Sequence, residues 1–256
     1  MKRLRRVLRA LVVMVLVVFI AICGLHVYNW YSDYRTQKKE TEKFKEVIKD
    51  KVEETERFNR AALEELQRIN SNIVGFITLE DGGISQPIVQ PTEAEGDTYY
   101  MRRDIYRNYN ILGCIFTKTS ANVLRNGDYN IPIYGHNVTY SSDDMFSPLN
   151  RLKSQDFYDK YSHITVWWPD DKVEYLVTNV YLIPVSNLET YDFGVREWTD
   201  EKDFDEWIME ANIRNLITAS EKCHYGDRLI TLETCHQDGS EKRLIVVAKE
   251  VNRTAY

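Results

Sequence analysis

From Ala10 to Tyr28 nearly every position is apolar, and His26 is the one clearly polar residue. A predominantly apolar run of about 20 residues matches the thickness of a bilayer core. The pattern then changes. Phe44, Val47, Ile48, Val52, Phe58, Ala62, Leu66 and Ile69 recur at steps of three and four, with Thr55 bridging the one gap. That is helical spacing, and residues 33–70 contain neither Pro nor Gly, so a long helix is predicted there. Its bland role is a spacer with a solvated face; its sharper role is to pack its C-terminal half on the next domain. Beyond residue 71 the runs become short and rich in Ile, Val, Tyr, Thr and Trp: Ile73–Leu79, Ile84–Val89, Ile111–Thr117, Tyr129–Tyr134, His163–Trp168, Glu174–Pro184, Arg228–Leu232 and Arg243–Val251. Asp81-Gly82-Gly83, Asn126-Gly127-Asp128, Pro169-Asp170-Asp171 and Asp238-Gly239-Ser240 supply turns between them.

About eight short strands with few helices predict a mainly β barrel or sandwich over residues 71–256, long enough for its own core. One segment interrupts it. Between Thr199 and Ser220, Phe204, Trp207, Ile208 and Ala211 share a helical face, with Thr199 or Asp200 able to cap the start. A shorter helix is expected near Met145–Leu152, where Phe146, Leu149 and Leu152 align. The expected organisation is a basic tag and membrane anchor at 1–31, a helical stalk at 32–70 and one β domain at 71–256.

Charge sharpens this division. The 256 residues carry a net charge of −6. Residues 1–9 hold five basic residues and no acid, residues 33–70 hold ten of each sign, and the net −11 of residues 71–256 remains. Basic residues before an apolar span stay on the cytoplasmic side, and Trp30 and Tyr31 suit the far interface, so residues 32–256 are expected outside the cell. A cleaved signal peptide would need a shorter apolar core and a small-x-small site, and Cys23-Gly24-Leu25-His26 is a poor one. An acidic domain lacks the basic footprint of a nucleic-acid binder, and no such partner is expected. Four Cys are too few for a disulfide-stapled scaffold. A Cys114–Cys223 bridge remains open, and the Cys223-His224 and Cys235-His236 pairs lack the tight spacing of zinc ligands. No metal or cofactor is expected.

Two stretches carry candidate chemistry. In Ile131-Pro132-Ile133-Tyr134-Gly135-His136-Asn137 a strand runs out through Gly into His. In Leu229-Ile230-Thr231-Leu232-Glu233-Thr234-Cys235-His236 an apolar strand ends in Cys, and Arg243 opens the next strand. A thiolate attacks amide carbonyls, His donates a proton to a leaving amine, and a fixed guanidinium stabilises an oxyanion. If the strands bearing Cys235 and Arg243 are antiparallel neighbours, both side chains lie at one end of the sheet. Each residue also has a structural reading: a buried thiol, a surface imidazole, a salt-bridging Arg.

The run Thr231-Leu232-Glu233-Thr234-Cys235 resembles the TLxTC signature of sortases, membrane-anchored cysteine transpeptidases of Gram-positive bacteria. Tyr134-Gly135-His136 is similar to their catalytic His segment, and Arg243 stands where their Arg opens the last strand. Gly75-Phe76-Ile77, Gln86-Pro87-Ile88-Val89-Gln90, Tyr99-Tyr100 and Gly113-Cys114-Ile115-Phe116 fall in the family's order. The N-terminal helical segment and the helix at 199–220 resemble class B. The resemblance implies a closed eight-stranded sortase-type β-barrel with peripheral helices, preceded by a transmembrane helix and helical stalk. It implies Cys235 as nucleophile, His136 as acid and base, and Arg243 at the oxyanion or substrate carbonyl. The implied reaction cuts a C-terminal sorting motif after Thr through a thioester and passes the protein to an amine from a peptidoglycan precursor or a pilin Lys. The partners are then a motif-bearing surface protein or pilin and that acceptor. Water release by the same residues, and a non-catalytic binding scaffold, are the alternatives. Thr234, Glu233, Tyr181, Leu182 and Ile183 are the expected substrate contacts, and Glu241 or Asp238 the acid that orients His136 or Arg243. Glu233 and His236 depart from the Ser and the acid or Tyr common at those places in class B.

Overall fold

The computed structural model describes residues 2–53, 60–79, 83–137, 144–235 and 241–256. Two compact units result, Met1–Glu46 and Val47–Tyr256. The first lies within helix α1 (Lys2–Glu53). Arg3–Thr36 within α1 is, among the described residues, the one helical stretch long and apolar enough to cross a membrane. Helix α2 (Arg60–Ile69) buries Leu63 and Leu66. It ends where Asn70 and Asn72 both donate to the Tyr100 hydroxyl, at 2.8 and 3.0 Å.

The second unit is a closed barrel of eight strands: β1 (Ile73–Leu79), β2 (Ile84–Val89), β3 (Ile115–Phe116), β4 (Asn130–Tyr134), β5 (His163–Trp167), β6 (Asp171–Pro184), β7 (Leu229–Cys235) and β8 (Lys242–Ala255). Around the barrel the order is β1-β2-β3-β4-β7-β8-β6-β5. The β2–β3 and β4–β7 pairs are parallel and the others antiparallel. Side chains alternate along each strand, so Ile230, Leu232 and Thr234 turn to one face of the sheet while Leu229, Thr231, Glu233 and Cys235 turn to the other. Closure leaves no open sheet edge.

Helix α3 (Gln155–Tyr158) is a single turn. Helix α4 (Glu201–Arg214) covers the second of those faces. Asp200 caps it, its carboxylate accepting the Asp203 N–H at 2.9 Å. Phe204, Trp207, Ile208 and Ala211 pack with Tyr181 and Ile183 of β6, Leu229 of β7 and Ile245 and Val247 of β8. The helix is shorter than the predicted 199–220. The Asn215 side chain accepts the Val180 N–H at 2.8 Å and Leu216 N–H donates to the Val180 carbonyl, so the chain leaves the helix to bond the β6 backbone.

Observed β6, β7 and β8 each exceed their predicted bounds by a few residues, and two other elements change character. The predicted strand 111–117 shrinks to β3 because Gly113 takes a φ of +58, with its Cα so near Tyr100 that a Cβ would lie 2.5 Å from the Tyr100 carbonyl. The predicted helix near 145–152 is a 3₁₀ segment, Ser147–Lys153, with Pro148 in its first turn. Cys114 and Cys223 are free and buried apart from one another. Cys114 Sγ donates to the Arg103 carbonyl and Cys223 lies 3.0 Å from the Thr178 hydroxyl.

Candidate active site

The strand directions assemble the site. Because β4 and β7 run parallel, the exit of β4 and the exit of β7 lie at the same end of the barrel. Tyr134 pairs with Glu233 in that ladder, and the Gly135 N–H donates to the Glu233 carbonyl at 3.1 Å. His136 therefore leaves the sheet beside Cys235. Because β8 runs antiparallel to β7, its first residues return to the same end, and Cys235 and Arg243 are direct cross-strand partners. The Asn137 amide donates to the Cys235 carbonyl at 2.8 Å, tying the histidine segment to the end of β7.

Gly135 is where that segment packs closest to its neighbours. A Cβ there would lie 2.7 Å from Phe146 Cδ2 and 3.3 Å from Ile115 Cγ1. Phe146 is fully buried, and its N–H donates to the His136 carbonyl at 3.0 Å. The aromatic ring thus packs under the glycine while the same residue's backbone holds the histidine.

His136 Nε2 lies 2.8 Å from the Met101 carbonyl. A carbonyl only accepts, so Nε2 carries the proton and Nδ1 is left to exchange protons with a reacting group. Burial lowers the His136 pKa, the Met101 bond opposes that, and Arg102 adds to it, so the ring is neutral at pH 7. Met101 belongs to the 3₁₀ turn Tyr99–Arg102. Its neighbour Tyr100 is fully buried and held by Asn70 and Asn72, so α2's C-terminus braces the turn that orients the histidine.

Cys235 is partly exposed and free. Burial raises its pKa, with Arg243 lowering it and Glu233 raising it further. The resting pair is therefore a neutral thiol and a neutral imidazole. Arg243 Nε and Glu233 Oε1 form an ion pair at 2.8 Å, with side chains 30% and 15% exposed. Burial raises the Glu233 pKa despite the opposing pull of Arg243 and Lys118, so desolvation outweighs the ion pair there. The Lys118 ammonium sits 5.6 Å from the Tyr134 ring centroid, and Tyr134 stacks on Phe116. Together the group offers a nucleophile, a proton carrier and a guanidinium at one rim, which suits acyl transfer.

The structure brings Cys235, His136 and Arg243 to that rim. It treats the expected substrate contacts differently. Glu233 lies on the site's face but bonds Arg243. Tyr181 and Ile183 share that face yet are wholly buried beneath α4, and the Tyr181 hydroxyl lies 3.0 Å from that of Tyr191. They pack under the site and have no surface to offer a substrate. Thr234 is fully buried on the opposite face, opposite Leu244, with a hydroxyl that has no hydrogen-bond partner. Leu182, partly buried, also pairs with Leu244. Of the two candidate acids, Glu241 is exposed and uses its carbonyl to accept the Val185 N–H, while Asp238, like His236, lies outside the described residues. The acid on Arg243 is Glu233 instead. Met101, Asn137 and Phe146 were not singled out as site residues by sequence. Asn137 directly follows His136, but Met101 and Phe146 act through a carbonyl and a packing contact that leave no motif.

The sortase domain family model matches residues 77–251, more than half of the chain. Sortase B of Staphylococcus aureus is 27% identical over 252 residues, covering 97% of this chain and 97% of that protein. Sortase B of Listeria monocytogenes is 28% identical over 196 residues, covering 76% of each. The solved Staphylococcus aureus sortase B–substrate complex superposes with a TM-score of 0.73 at 25% identity, covering 85% of this chain and 97% of that one. With the closed barrel and the Cys, His and Arg at one rim, these likenesses show that the chain belongs to the sortase family and is a class B-type cysteine transpeptidase.

Proposed function

We propose that this transpeptidase cleaves a C-terminal sorting motif after its Thr and transfers the amino-side product of that cut, the Thr-terminated protein, to an amine acceptor. Cys235 Sγ gives its proton to His136 Nδ1 and bonds the Thr carbonyl carbon. The tetrahedral oxyanion is met by Arg243. The C–N bond breaks as His136 returns the proton to the leaving amine, and a thioester remains. The acceptor amine then attacks the thioester carbonyl, His136 takes its proton, and the thiol is restored. The motif-bearing partner is a surface protein or pilin, and the acceptor amine belongs to a peptidoglycan precursor or a pilin Lys.

The observation that carries this reading is the direct Cys235–Arg243 cross-strand pair beside the His136 exit. An Arg aligned with a thiol suits an acyl intermediate better than a structural ion pair alone. The membrane half rests on α1: residues 3–32 are exposed along an apolar helix preceded by Lys2, Arg3, Arg5, Arg6 and Arg9. We place the first residues in the cytoplasm, the span across the membrane, the segment 32–70 as stalk and the barrel outside. The test uses the full-length chain in detergent with a panel of sorting-motif peptides, with and without triglycine. A peptide–triglycine adduct that replaces the hydrolysed peptide, and is absent in Cys235→Ala, supports transfer to an amine. Hydrolysis unchanged by triglycine would make the protein a peptidase, and no turnover across the panel would refute the substrate class.

A further inference from the structure

Glu233 and Cys235 are two apart on β7 and turn to the same face, and Arg243 stands opposite Cys235 on β8. The Glu233–Arg243 contact is therefore a diagonal one across the strand pair. It draws the guanidinium back along β7, over the sheet and toward Tyr134, the β4 partner of Glu233. The ion pair is made at Nε, at 2.8 Å. Arg243 Nη1 donates to the Lys242 carbonyl at a long 3.4 Å, a weak bond that a substrate oxygen could replace at the Nη side of the planar fork.

We propose that Glu233 is a positioning residue for the transpeptidation, its carboxylate holding Arg243 by Nε so that the Nη edge faces the carbonyl attacked by Cys235. This rests on the reading of Arg243 as the oxyanion group. A flexible Arg at a rim samples many rotamers, and fixing one by an ion pair removes that entropy before the substrate arrives. The same carboxylate works against the thiolate by its charge, so position and field oppose one another here. The groups facing Glu233 are Arg243 from β8, Lys118 after β3, Tyr134 from β4 and Cys235 on its own strand.

Glu233→Gln separates the two effects, since the amide keeps a polar oxygen beside Nε but carries no charge, whereas Glu233→Ala loses both. The full-length chain carrying Cys23→Ser, which removes the exposed thiol of α1, is alkylated with iodoacetamide across pH. Arg243→Ala should move the Cys235 titration to higher pH, by the same amount in the native and Glu233→Gln backgrounds and by clearly less in Glu233→Ala, where nothing holds the guanidinium. An equal shift in all three would overturn the proposal, whatever peptide the enzyme accepts. In single-turnover acylation, Glu233→Ala should be at least about tenfold slower with KM little changed, and Glu233→Gln should recover most of that loss. If Glu233→Gln falls as far as Glu233→Ala, or if Glu233→Ala costs the same factor again in an Arg243→Ala background, Glu233 does not act by holding Arg243. Normal alkylation shifts with no acylation of any variant would instead count against the substrate reading alone.

Discussion

Substituting Gly135 by Ala tests how tightly the histidine segment is held. The added Cβ would start 2.7 Å from Phe146 Cδ2 and 2.8 Å from its Cγ. Carbon atoms in good contact sit about 3.5–4.0 Å apart, so about 1 Å of movement is required. Phe146 is 0% exposed and cannot swing aside, and Ile115 closes the other side at 3.3 Å. The strain then falls on the Gly135–His136 backbone, which is tied by the Glu233 carbonyl, the Phe146 N–H and the Asn137–Cys235 bond. Overpacking of this kind costs about 1–3 kcal/mol of stability, and a 1 Å displacement of a catalytic group costs on the order of 100-fold in rate. We expect Gly135→Ala to lower the denaturant midpoint modestly and kcat/KM for peptide acylation by about two orders of magnitude. Both are measured on the same preparation, by urea titration and by release of the leaving amine. A variant that keeps kcat/KM within about threefold would refute the claim that this glycine sets the position of His136.

The same geometry makes other outcomes testable. Arg243→Lys should lose acylation steeply, because an ammonium lacks the planar fork that Glu233 holds at one edge, and near-native turnover would contradict the oxyanion role. If acylation needs thiolate and imidazolium together, ordinary values near 8.5 and 6.5 leave that pair at about 1% of molecules, and the burial-driven shifts of Cys235 upward and His136 downward reduce it further. The kcat/KM profile should then be broad, with its acid limb below about pH 6.5 and its alkaline limb above about pH 8.5. Arg102→Gln should move the acid limb upward, since its charge helps burial lower His136. At the far end of the barrel, Asp171 is 1% exposed and bonds Arg125 and Arg253. Burial alone would raise its pKa, but the two guanidinium groups hold it below the usual range. Its contribution is complete above the unfolded value of about 4 and is lost as pH falls through the folded value. Asp171→Asn should cost about 3 kcal/mol in neutral urea titrations, since both Arg side chains keep some water, and should flatten the acid limb of the stability curve.

Composition marked β1 and β2 to the residue, because each is a short run rich in β-branched residues, bounded by turn signals and mostly buried. It over-extended β3, where a left-handed Gly113 and the approach of Tyr100 decide the backbone and neither leaves a hydrophobic pattern. Cys235, His136 and Arg243 were legible as a candidate set because each is chemically distinctive and lies at or just beyond a strand end. The supporting contacts were not. Glu233 meets Arg243 only through the β7–β8 register, Met101 serves through its carbonyl, and Tyr181 and Ile183 are hidden by a helix that arrives later in the chain. Strand alternation alone would have separated Thr234 and Leu182 from Cys235 once the pairing was known.

The proposed mechanism requires Cys235 to carry the acyl group. The full-length protein, mixed with a sorting-motif peptide at neutral pH and quenched in acid, should gain the mass of the Thr-terminated fragment. Proteolytic mapping should place the adduct on the peptide containing Cys235, and neutral hydroxylamine should remove it. An adduct on another residue, or one that persists in Cys235→Ala, would contradict the account.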